Sequence, residues 1–166
     1  MNFRTRLFSI VIISALTLLS AKAFAKDLAS RLGVGYRNSL VTTDLPSMAV
    51  FYSPNNDVQV LASLGVDTQE DNSKFGFLGG VRRVIFKEEN MNFFLGGNVA
   101  MVNSEVAAKK DSGFELAGLV GGEFFLHGLD SLGFQFESGV GITTVGKTRF
   151  RTTGGSFLNA GMAFYF

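Results

Sequence analysis

The chain has no cysteine and no tryptophan, one histidine and two prolines. Without cysteine there are no disulfides, no thiolate metal sites and no cysteine nucleophile, so an exported fold must hold by packing and hydrogen bonding alone. Charge is sparse as well. Asp, Glu, Lys and Arg make up 17% of the residues, whereas a surface that meets water on all sides wants roughly a quarter to a third. The sequence also lacks G-x-S-x-G, H-E-x-x-H and calcium-loop patterns. Its single histidine, His127, falls in a predicted turn. No catalytic residue, metal ligand or cofactor is expected, and the chain reads as a non-enzyme.

Long apolar runs are scarce too. Leu7 to Leu19 is an apolar stretch of 13 residues, too short to cross a bilayer as a helix, which takes about 20. Arg4 and Arg6 precede it and Ala23-Phe24-Ala25 follows it, the order of a secretory signal peptide with a cut after Ala25. The expected division is a signal peptide over 1–25 and one domain over 26–166. The leader holds three of the 15 basic residues and none of the 14 acidic ones, so the remainder has 12 against 14 and a net charge of −2. The basic character belongs to the leader, and no nucleic-acid partner is inferred.

What the chain does have is glycine and phenylalanine, 20 and 18 of them, set in runs with a period of two. Successive side chains of a strand point to opposite faces, so each run splits into two rows. Val58, Val60, Ala62, Leu64 and Val66 oppose Gln59, Leu61, Ser63 and Gly65. The run from Met91 to Val102 sets Met91, Phe93, Leu95, Gly97, Val99 and Met101 against Asn92, Phe94, Gly96, Asn98, Ala100 and Val102. The run from Phe114 to Phe124 sets Phe114, Leu116, Gly118, Val120, Gly122 and Phe124 against Glu115, Ala117, Leu119, Gly121 and Glu123. In the run from Leu132 to Thr143, Phe134, Phe136, Val140 and Ile142 oppose Gln135, Glu137, Gly139 and Gly141. With Leu28–Arg37, Ser47–Ser53, Lys74–Phe86 and Gly155–Phe166 this makes eight expected strands, most of about the nine to eleven residues a tilted strand needs to cross a bilayer.

Short turns near 54–57, 87–90 and 127–131 alternate with longer polar connections near 38–46, 67–73, 103–112 and 144–154. Short turns on one rim and longer loops on the other are the plan of an outer-membrane barrel. The polar rows are mostly Gly, Ala, Ser, Asn and Gln. They suit a narrow eight-stranded lumen better than a water-facing surface, and closure removes the sheet edges that hydrocarbon cannot satisfy. The expected fold class is all-β: an eight-stranded antiparallel up-and-down transmembrane barrel behind a cleaved signal peptide. A periplasmic barrel holding an apolar ligand remains the alternative reading of the same rows.

The last strand, FLNAGMAFYF, puts Leu158, Ala160, Met162, Phe164 and Phe166 on one face and ends in an aromatic residue. Here the chain resembles bacterial outer-membrane β-barrel proteins, and within them the small eight-stranded group of the OmpA membrane domain and the OmpX/Ail proteins. The resemblance implies outer-membrane localisation and an assembly signal at Met162, Phe164 and Phe166 read by the barrel-assembly machinery.

Four charges fall on the polar rows: Arg31, Arg82, Glu123 and Glu137. Isolated charges there are costly, so they are expected to pair and plug the lumen; a gate lining a small pore is the alternative. Arg83 falls on the apolar row and is expected to snorkel to headgroups or to mark a bulge. Phe86, Phe124, Phe134, Phe164 and Phe166 are expected to form an inner girdle, and Phe75, Phe77 and Phe114 an outer one.

The stretch GITTVGKT, Gly141 to Thr148, fits the phosphate-loop pattern G-x-x-x-x-G-K-[ST]. That pattern works only ahead of a helix whose N-terminus supplies backbone donors. RFRTTGGSF follows instead, with glycines and β-branched residues that disfavour a helix, so no nucleotide partner is expected. Lys147, Arg149 and Arg151 are candidates to meet lipopolysaccharide phosphates as charge-assisted pairs, against a plainly solvated loop. The composite expectation is a monomeric barrel, in contact with outer-membrane lipid and lipopolysaccharide, with a structural or surface-interaction role. A narrow pore for ions or small solutes is the alternative.

Overall fold

The computed structural model describes residues 27–107, 109–153 and 158–166. The expected signal peptide over 1–25 and its cut lie outside the described residues. Nine strands follow in order: β1 Leu32–Arg37, β2 Ser47–Tyr52, β3 Val58–Asp67, β4 Lys74–Glu88, β5 Met91–Val106, β6 Lys109–Phe125, β7 Leu132–Thr143, β8 Arg149–Thr152 and β9 Asn159–Tyr165. Every pairing is antiparallel. Neighbours along the chain pair in turn from β1 to β7, and β9 returns to β1 and closes the sheet into a barrel.

The eighth stave is built in two pieces. Val140–Thr143 of β7 pair with β8, and Leu132–Glu137 of the same strand pair with β9. Nine strands therefore make the eight-stave, all-antiparallel barrel the periodicity predicts.

Side-chain direction follows the two rows. Val60 is 42% exposed and Leu95 50%, whereas Gln59, Ser63, Asn92 and Asn98 are buried. Val34, Val50, Leu64, Val81, Val99, Leu116, Val120, Val140 and Met162 continue an outward apolar belt around the wall. Such a belt has no reason to exist on a water-facing barrel, where exposed apolar patches stay small. Of the phenylalanines expected in two girdles, Phe77, Phe86, Phe114, Phe164 and Phe166 are exposed, while Phe75, Phe124 and Phe134 are half-buried.

The molecule departs from the sequence expectation in four places. The connection expected near 144–154 contains a further strand, β8. The segment 103–112, expected as a loop, is strand: β5 and β6 pair out to Val106 and Lys109 and project as a ribbon past the rest of the rim. The segment 38–46 is not an outward loop but turns into the barrel. Finally, the register of β4 shifts between Val84 and Phe86. That bulge leaves Ile85 without a partner opposite it and lets Val84, Ile85 and Phe86 change face; Arg83, just before it, is exposed, as both sequence readings of it allow.

Both ends of the described chain lie on the same rim as the short turns at 53–57, 89–90 and 126–131, here called the terminal rim. Residues 38–46, 68–73, Ala107 and 144–148 lie between strands on the far rim.

Candidate functional site

A barrel of eight strands encloses little more than its own side chains, and this lumen is filled in layers. The layer nearer the terminal rim is polar. Glu137 on β7 takes Arg37 of β1 at 2.8 Å on one carboxylate oxygen and Arg82 of β4 at 2.7 Å on the other. All three side chains are 2–4% exposed. Arg82 also donates to Gln135 at 3.0 Å and lies over the Phe94 ring, 4.3 Å from its centroid. Gln135 donates in turn to Glu123 at 2.9 Å, and the Tyr165 hydroxyl donates to the same Glu123 oxygen at 2.5 Å. Gln59 bridges to Tyr165 at 3.1 Å. Buried ions in low dielectric survive only when paired and hydrogen-bonded in this way.

Of the four charges singled out in the sequence, the structure brings Arg82, Glu123 and Glu137 together. Arg31 is corrected. It stands one residue before β1, half-exposed at the terminal rim, and its charge acts on Asp27 rather than on the cluster. Arg37 takes the place assigned to it. Both residues share the inward parity of β1, and only Arg37 lies deep enough along the strand to reach Glu137. Sequence reading also missed Gln59, Gln135 and Tyr165 as partners. The signal was present: each sits on an inward row, where a polar side chain must find a buried partner.

Towards the far rim the filling is a loop. Leu40, Val41 and Leu45 are 1–2% exposed inside the barrel mouth. They occupy room that the wall leaves empty. A Cβ on Gly76 would lie 2.6 Å from Leu40, one on Gly141 2.7 Å from Val41, and one on Gly65 2.8 Å from Leu45. Glu115 of β6, itself 3% exposed, accepts the Val41 and Thr42 backbone N–H groups at 2.7 Å each. The Thr42 and Thr143 hydroxyls meet at 2.6 Å, and Arg151 donates to the Thr42 carbonyl at 3.3 Å. Asn38 bonds Asp44 and the Leu45 amide, pinching the loop at its base. Val145, from the turn after β7, is buried beside it. Burial of each apolar side chain contributes about 1.5–3 kcal/mol, enough to hold a short loop in place against its ordering cost.

At the opposite end Leu28 is buried against the base of the polar layer. Asn56 accepts the Leu28 and Ala29 amides at 3.1 and 3.0 Å and fixes that entry. Leu28, Gln59, Arg82, Asn92 and Glu123 are among the residues around a cavity of about 20 Å³. That is room for about one water molecule. On the terminal rim itself Lys87 contacts Asp57 at 2.6 Å, and the ammonium holds this exposed carboxyl below its ordinary range.

The stretch GITTVGKT is strand and then turn: Gly141 to Thr143 end β7, and Arg149, just after it, opens β8. Among the described residues no helix N-terminus stands beside it to receive a phosphate. Of the three cations near it, Arg149 and Arg151 pair with Thr143 and Gly141, both on the inward row, while Phe150 between them is 71% exposed on the outward one. The two guanidinium groups therefore lean over the mouth and not towards the belt. Lys147 sits in the turn, exposed. Met162, Phe164 and Phe166 lie together on the outward face of β9 and just beyond it.

An apolar jacket around a lumen packed with ions and a tucked loop defines a closed, eight-stave barrel of the outer-membrane type. Two solved structures of that kind resemble it. The N-terminal β-barrel domain of Pseudomonas aeruginosa OprF superposes with a TM-score of 0.60 at 10% identity, over 83% of this chain and 98% of that one. Neisserial surface protein A superposes with a TM-score of 0.55 at 10% identity, over 82% and 95%. At such identity the likeness is one of fold. No family model matches the sequence, and no curated protein does.

Proposed function

We propose that the protein is an integral outer-membrane barrel with a structural or surface-interaction role, inserted as a monomer and reached through the secretory leader. The terminal rim then faces the periplasm and the far rim the outside. The observation that carries this is the continuous belt of exposed aliphatic side chains from Val34 to Met162 around a barrel whose interior is already full. Hydrocarbon is the solvent that such a belt fits. The outward row of Met162, Phe164 and Phe166 is the stretch offered to the assembly machinery. The outer ribbon, the tucked loop and the basic turn after β7 are the parts available to lipopolysaccharide or a partner.

The narrow-pore reading fares worse. Conduction needs a continuous polar path, and here Leu40, Val41 and Leu45 close one end, Leu28 the other, and a paired charge layer lies between. The periplasmic ligand barrel fares worse still, since its apolar row would point inward. A catalytic role finds no support either: the exposed His127 sits in the turn after β6, at the rim away from the mouth.

The test is twofold. Folded protein should migrate differently from boiled protein on SDS gels and fractionate with membranes. In planar bilayers it should give no steady unitary current. A soluble product released by osmotic shock overturns the membrane assignment, and steady currents abolished by Arg82→Gln restore the pore.

A further inference from the structure

We propose that the recess beside the basic turn on the far rim is a binding site for a phosphate-class anion; this rests on the outer-membrane reading, which puts that rim outside the cell. Thr42, Ser104, Lys109, Asp111, Val145, Gly146, Lys147 and Arg149 line a concavity of about 320 Å³. This is the low end of the range for small-molecule sites. It fits a phosphorylated sugar or a headgroup, not a folded protein.

The charge around it is uneven. Arg151 adjoins the recess through its bond to Thr42, which brings the cations to Lys109, Lys147, Arg149 and Arg151, against Asp111 on the lining and the buried Glu115 that holds the Thr42 amide beneath it. Asp111 is engaged by Lys109 at 3.4 Å. Among the described residues no carboxylate lies within ion-pair distance of Lys147, Arg149 or Arg151. These cations come from three separate segments, the start of β6, the turn after β7, and β8, so the fold and not a local run gathers them. Elsewhere on the rim the connection from β3 to β4 carries Asp67, Glu70 and Asp71. An approaching anion is repelled from that sector and drawn to the other.

Arg149 and Arg151 are two residues apart on one face of a strand, roughly 7 Å from Cα to Cα. Their planar forks suit the oxygens of a tetrahedral anion, which they can grip from two sides. The same chemistry serves two sources: the phosphate of a neighbouring outer-leaflet lipid, or a free phosphorylated solute arriving from the medium. The inward lean of both side chains over the mouth faces them to the medium, so a lipid phosphate has to reach over the rim to meet them.

The test uses the folded barrel in nonionic micelles and calorimetric titration with inorganic pyrophosphate. A second arm titrates micelles carrying lipid A against micelles carrying its dephosphorylated form. Saturable binding is expected in at least one arm, weakening as salt rises. The Lys147→Gln/Arg149→Gln variant is expected to lose at least tenfold in affinity, and Arg31→Gln, at the opposite rim, to bind as the parent does. Neither substituted cation has an ion-pair partner to lose, and heat-modifiable migration checks that the variant is folded. Pyrophosphate binding assigns the site to free phosphates; binding only to phosphorylated lipid A assigns it to headgroups. Saturable binding in neither arm, or a double variant that binds like the parent, overturns the proposal. A barrel that passes the membrane tests and fails this one loses only the anion site.

Discussion

Glutamine in place of Glu137 keeps the side chain's volume and removes its charge, so it isolates the electrostatics of the lumen. The parent carboxylate gives one oxygen to Arg37 and one to Arg82, at 2.8 and 2.7 Å, with all three groups nearly inaccessible to water. After substitution two guanidinium ions face one neutral amide. Arg82 keeps Gln135 and the Phe94 face, so the loss falls mainly on Arg37. Removing one partner of a buried pair costs about 3–5 kcal/mol, and that is the expected drop in unfolding free energy. The assay is urea unfolding in micelles, followed by gel migration and by tyrosine fluorescence, under conditions where unfolding and refolding curves coincide. Arg31→Gln, at the rim, should fall within about 0.5 kcal/mol of the parent. Arg37→Met/Arg82→Met/Glu137→Leu combined with Glu123→Gln, which removes all four charges of the polar layer together, should be neutral or stabilising by about 1–4 kcal/mol. A loss under about 1 kcal/mol for Glu137→Gln would mean that water reaches these ions, and with it the sealed lumen would have to be given up.

Glu115→Gln leaves one acceptor oxygen where two backbone amides now bond a carboxylate. A bond to a charged group is worth about 1.5–3 kcal/mol, so Val41 and Thr42 amide hydrogens should exchange at least tenfold faster, while those of β7 hold. Gly141→Leu should drive the loop out of the mouth, because a Cβ there already meets Val41 at 2.7 Å; protease access to residues 38–46 measures it. Spin labels at Val60 and Leu95 should be relaxed by lipid-soluble oxygen and one at Ser63 should not; the reverse pattern would invert the barrel. The contact with Lys87 depresses the Asp57 carboxyl. Its contribution is therefore fully present above the ordinary carboxylate range and fades as pH falls through the lowered folded value. Carboxyl NMR of Asp57 across acid pH should show the lowered midpoint return towards normal in Lys87→Gln.

Most of the barrel was legible because parity is a local property. Val60 and Leu95 on one row, Gln59 and Asn98 on the other, declare their faces without reference to the rest of the chain. Depth along the barrel is not local. Arg31 and Arg37 share a parity, and which of them meets Glu137 depends on where β1 enters the sheet, which pairing with β2 and β9 fixes at Leu32. The same limit explains Tyr165. Its inward parity could be read off FLNAGMAFYF, but its neighbours Glu123, Gln59 and Gln135 come from three other strands. The ribbon of β5 and β6 escaped for another reason: polar residues at 103–106 and 109–112 look like loop when they are the two faces of a ribbon beyond the apolar belt, where neither row needs to be apolar.

The tucked loop had a signature that composition concealed. Polar residues dominate NSLVTTDLP, yet Leu40, Val41 and Leu45 have no reason to sit in a loop bathed by water. Their counterpart is the set of inward glycines at 65, 76 and 141, which leave the wall hollow towards the far rim. An eight-stranded barrel can fill its axis with large side chains from its own staves, as Arg82, Phe94 and Tyr165 do near the terminal rim. It can also keep the staves bare and bring the filling from a connection. This chain does both, one at each end. β1 and β2 are six residues each, against 15 to 17 in β4, β5 and β6. The short pair is where the chain stops building wall and turns inward, so the missing strand length and the apolar loop are two sides of one solution to the same void.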